Sequence, residues 1–163
     1  MGERGLVIQF ILGSAFAGLV GAACMALFMT GVTRLRIVNA DMIRAIGSLF
    51  TGSNEAALRV GGFVHAVSGI VFAMIYAGIL SFFSVHGFWY ATAMSSIIGF
   101  VHGFVVFFLL INMVAEHHPL PEFREVGVGV AAVHLVGHII YGLVVGMILG
   151  AMNLISVLAP PPA

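Results

Sequence analysis

Four histidines, His65, His102, His134 and His138, fall inside long apolar segments of this chain. Imidazole donates and accepts hydrogen bonds, carries protons near neutral pH and ligates transition metals, and in apolar sequence it is costly unless partnered or used. His134 and His138 are four positions apart and are followed at the same interval by Gly142, Gly146 and Gly150. On an α-helix these residues form one stripe. Glycines along it mark where another helix comes closest, so the imidazoles are expected to point into protein and not into lipid. The rows His65, Gly69, Ala73, Ala77 and Ser95, Gly99, Gly103, with His102 beside the latter, repeat the pattern.

Depth sharpens the expectation. Counted from the basic end of each segment, His65 and His134 lie about 9 and 13 Å inside, and His102 and His138 about 18 to 20 Å, at 1.5 Å per residue. The four imidazoles are thus expected in a layer roughly one helical turn thick. Haem b in a helical bundle needs two imidazoles at matching depth with small residues nearby, which His65 with His134, or His102 with His138, would meet. One b-type haem, serving electron transfer within a larger membrane complex, is the favoured reading.

Two others stand beside it. The i, i+4 pair His134 and His138, completed by His65 and His102, suits a copper, zinc or iron ion and hence a metal carrier or transporter. Alternatively the histidines bond hydroxyls such as Ser68, Ser95, Ser96 or Tyr141, or carbonyls, and merely tie helices together in a cofactor-free accessory subunit. Glu116, His117 and His118 sit where they could pass metal inward, but with Pro119 and Pro121 they read as a polar turn. Met25 and Met29 read as apolar filler and not as ligands.

Composition fixes the setting of this chemistry. The 163 residues are 61% hydrophobic and 7% charged, with a mean hydropathy of +1.18, far from the roughly 25% charged residues of soluble domains. An integral membrane protein follows, with the lipid bilayer as its first partner. Zero net charge gives no basic surface for nucleic acid. The lone Cys24 permits no intrachain disulfide, and no phosphate loop, Ser/His/Asp set or CxxC is present, so no enzyme class is indicated.

The elements that must position the histidines form a single all-α domain over 1–163, a four-helix transmembrane bundle. Spans are expected over about 6–30, 60–83, 91–114 and 126–157, each near or above the roughly 20 residues that cross a bilayer. The first is expected to be a retained span and not a cleaved leader, because its apolar run continues past Cys24. Between spans one and two, 40–51 should form an amphipathic helix capped by Asn39 or Asp41, lying in the interface as a brace. Thr51-Gly52-Ser53-Asn54 should end it and cap the next helix. His86, Trp89 and Tyr90 suit an interfacial belt, and the proline run after Ala159 ends the last helix.

Arginines in the 34–59 connection and Arg124 fall on one side, which the positive-inside rule assigns to the cytoplasm. A bacterial inner membrane with both termini outward is therefore expected. Val64-His65-Ala66-Val67-Ser68 parallels Val133-His134-Leu135-Val136-Gly137, a hint of two hairpins about a pseudo-two-fold axis. The Gly142/Gly146/Gly150 face is expected to receive another membrane subunit or a second copy of the chain. Histidines on packed transmembrane helices are, in general terms, similar to the arrangement in membrane cytochromes b and small membrane anchors of respiratory complexes, with no residue role carried over.

Overall fold

The computed structural model describes residues 3–124 and 127–155, without the side chains of Glu3, Met113 and Ala115. Helices run α1 (Glu3–Arg34), α2 (Met42–Thr51), α3 (Ala57–Phe82), α4 (Phe88–Leu109), a π-helical turn (Leu110–Val114), the short α5 (Ala115–His117) and α6 (Val128–Ala151). Helices α1, α3, α4 and α6 are each long and apolar enough to cross a membrane. The protein is an all-α integral membrane bundle, as its composition requires. The expected end of span four near 157 and the proline run lie outside the described residues.

In lipid no hydrophobic force drives one helix onto another, so dispersion contacts between closely approaching backbones hold the bundle. The small-residue rows supply them. On α6 a Cβ added at Gly142 would run into the Ser95 carbonyl of α4; one at Gly146 would stand 2.7 Å from the Ala91 carbonyl, and one at Gly99 of α4 would stand 2.5 Å from the His138 carbonyl. On the other side of the molecule Gly18 and Ala22 of α1 meet Gly69 and Ala73 of α3. Between α1 and α6, Gly21 receives Tyr141 and Val145, and Gly137 receives Met25 and Met29.

This packing corrects the expected use of the Gly142/Gly146/Gly150 face. It is covered by α4 of the same chain, Gly150 lying against Phe88 and Ala91, and presents nothing to a second subunit. Helix α1 packs on α3 and α6, and α6 also packs on α4, whereas α3 and α4 barely touch. The helices therefore form an arc, α3–α1–α6–α4, with one open seam. A two-fold axis relating the two hairpins would make the α1–α6 and α3–α4 seams equivalent, and they are not.

Helix α2 starts as expected. The Asp41 carboxylate accepts from Arg44 N–H at 3.2 Å and pairs with the Arg44 guanidinium at 3.2 Å; Gly52 ends the helix at φ 65°, left-handed backbone that glycine adopts without cost. Glycines again set the approach to α3, since a Cβ at Gly47 would strike the Ala57 carbonyl and one at Gly61 the Ile43 carbonyl. Leu49 and Phe50 stay exposed, the face an interfacial helix gives to lipid. Contrary to expectation no side chain caps α3, whose N-cap is Ala56. Trp89 is 78% exposed and Tyr90 73%, as belt residues should be.

Gly142→Val should therefore force α4 off α6 and destabilise the protein by about 2 kcal/mol or more. Gly78→Ala, with nothing within 4 Å of the new Cβ, should be neutral or slightly stabilising. Thermal unfolding of both variants in one detergent checks the contrast.

Candidate intramembrane histidine site

The open seam leads into a cavity of about 570 Å³, and all four intramembrane histidines line it. His65 comes from α3, His102 from α4, and His134 and His138 from α6. Tyr76, Tyr141 and Met25 share the wall, and Met42, Ala45 and Leu49 of α2 close one end. Helix α2 is thus a cavity wall as well as a brace. Apolar walls with a few convergent polar groups are the usual make-up of a ligand site.

The histidines fall into two groups by their hydrogen bonds. His65 Nε2–H donates to the Ala22 carbonyl of α1 at 3.0 Å, and His102 Nδ1 lies 3.2 Å from the Tyr76 hydroxyl of α3. Both bonds join two helices. His134 Nδ1–H donates to Val130 O at 2.8 Å, and His138 Nδ1–H to His134 O at 2.7 Å. Both of these stay within α6 and tie it to nothing. A carbonyl can only accept, so in each ring the proton sits on Nδ1 and Nε2 keeps its lone pair.

The His102 and His138 rings touch edge to face, with centroids 4.5 Å apart. Two axial imidazoles on one haem iron hold their centroids roughly 6 Å apart, given metal–nitrogen bonds of about 2 Å on each side. Among the described residues no three His, Cys, Asp or Glu side chains stand grouped to hold one metal ion. Of the hydroxyls expected to pair with histidine, Ser96 donates to Thr92 O, Tyr141 donates to Gly69 O at 2.6 Å, and the buried Ser95 has no partner.

His118 proves to be a buried residue and not part of an exposed polar turn. It is 0% exposed; Nε2–H donates to Ala45 O of α2 at 3.1 Å, Nδ1 accepts Leu120 N–H at 3.1 Å, and its carbonyl accepts Arg124 Nε–H. The ring latches the α4–α6 connection to α2. This also puts the 34–59 connection and Arg124 at one end of the bundle, where Asn54 donates to Glu122 at 2.7 Å.

Tyr76 and Met42 were not singled out by sequence reasoning. Tyr76 follows His65, Gly69 and Phe72 along one helical face, a spacing that marks it in retrospect. Met42 shares the face of Ile46. Of the methionine pair, Met25 lines the cavity and Met29 does not. No protein-family model, curated protein or solved structure matches this chain.

Two outcomes follow. Tyr141→Phe removes the bond from α6 to the Gly69 carbonyl of α3, which its own helix still pairs, and should cost about 1 kcal/mol in thermal unfolding. The Asn54 amide holds the Glu122 carboxyl below the usual carboxylate range, so their tie contributes above the unfolded pKa and is lost as pH falls through the folded one. Hydrogen-exchange protection in the two connections, taken relative to the intrinsic rate at each pH, should fall on acidification, and Asn54→Ala should remove that pH dependence.

Proposed function

We propose that this protein holds one transition-metal ion within the bilayer, on the Nε2 atoms of His134 and His138, with His102 as third imidazole once it turns from Tyr76. One observation carries the reading. His134 and His138 spend their Nδ1 protons on carbonyls of their own helix, so neither bonds another helix, and this is how metal-binding imidazoles are oriented. The 4.5 Å spacing of the His102 and His138 rings suits neighbouring ligands on one ion.

The second reading, one haem b in electron transfer within a larger membrane complex, is favoured by volume. About 570 Å³ far exceeds the need of a bare ion and falls in the ~300–1,000 Å³ range of cofactor pockets. His65 on α3 would then face His134 or His138 on α6. No arginine lines that cavity to meet the haem propionates, which ranks haem second. For both readings the arginine-bearing end faces the cytoplasm of a bacterial inner membrane, since Arg34, Arg36, Arg44, Arg59 and Arg124 oppose Arg4 alone.

Detergent-purified protein loaded separately with Cu(I), Zn(II) and Co(II) tests the site. One ion per chain should be retained, and His134→Ala and His138→Ala should each weaken its binding at least roughly tenfold. A Soret band with sharp reduced α and β bands in the purified protein would establish the haem reading instead. A folded, colourless protein that retains no metal would overturn both.

A further inference from the structure

Resting on that metal reading, we infer that the ion is cuprous, that the thioethers of Met25 and Met42 join the imidazoles in holding it, and that it is loaded past Met42 from the arginine-bearing end. A second cavity of about 480 Å³ lies at that end, with Asn39, Asp41 and Glu122 in its walls. It adjoins the histidine cavity, and Met42 and His134 line both. Met42 is 7% exposed and Met25 3%. A thioether therefore stands at the junction of the two cavities and another on the wall of the inner one.

The donor set selects the ion by softness and by charge. Every candidate side-chain ligand in the inner cavity is neutral: imidazole nitrogen, thioether sulfur, or tyrosine or serine hydroxyl. The carboxylates of the outer cavity are already engaged, Asp41 by Arg44 and Glu122 by Asn54. With no anion to neutralise it, an ion in the bilayer bears its full desolvation cost. That cost grows as the square of charge, so a monovalent ion carries roughly a quarter of the burden of a divalent one. Thioether and imidazole together are the donors that favour Cu(I), whereas carboxylate and carbonyl oxygen favour harder ions.

The test is Cu(I) competition with a chromophoric cuprous chelator under ascorbate, with Zn(II) titrated in parallel and X-ray absorption recorded at the copper edge of the loaded full chain. Cu(I) should bind more tightly than Zn(II), with both nitrogen and sulfur around copper. Met42→Leu and Met25→Leu keep core volume, so both should fold, which gel filtration checks. Each should lose sulfur scattering and weaken Cu(I) at least roughly tenfold while leaving any Zn(II) binding unchanged. A nitrogen-only shell, or Zn(II) held more tightly than Cu(I), would overturn the cuprous assignment and leave the intramembrane metal site standing. Retention of no metal by the folded protein would overturn both.

Discussion

Close approach at glycines, backbone to backbone at the α4–α6 and α1–α3 seams and backbone to side chain at the α1–α6 seam, is the constraint on which the rest of this structure depends. Gly142 and Gly146 let α6 close on Ser95 and Ala91 of α4, and Gly69 lets α3 close on Gly18 and Ala22 of α1. In lipid such contacts are the main attraction available between apolar helices. A fourth seam built the same way would give a filled bundle. The seam between α3 and α4 lacks these contacts, and the space left over is the cavity.

That cavity is held open by polar struts and closed at one end by α2. The Tyr141 hydroxyl reaches across to Gly69 of α3, and Tyr76 of α3 meets His102 of α4, so rings span the gap that backbones do not. At the arginine-bearing end the buried His118 ring bonds Ala45, which fixes α2 as a wall. Each strut satisfies a polar group that would otherwise be unpaired in an apolar setting, where the cost is about 1–3 kcal/mol.

Five histidines thus divide by what their nitrogens do. His65, His102 and His118 bond other elements and hold the scaffold in register. His134 and His138 bond only their own helix and keep a free lone pair at the cavity. The two kinds share one residue type and, in the spans, the same setting. A hydrogen-bond partner on another element is what separates them.

The sequence by itself determined that this is a four-span all-α membrane protein with an interfacial helix, because hydropathy and chain punctuation are local and lipid permits few alternatives. It also pointed to four histidines on helix faces carrying small residues, since the helical period converts spacing into position, and all four line one cavity. Which face meets which helix is a long-range matter that periodicity cannot carry. Gly142, Gly146 and Gly150 read equally well as a seam to a second chain, and only the fold assigned them to α4. Likewise Tyr76 and Met42 became site residues, and His118 a buried latch, through contacts with residues distant in the chain. The open α3–α4 seam is the deepest such case: it arises from how four helices share contacts among themselves, a property of the set that no single segment encodes.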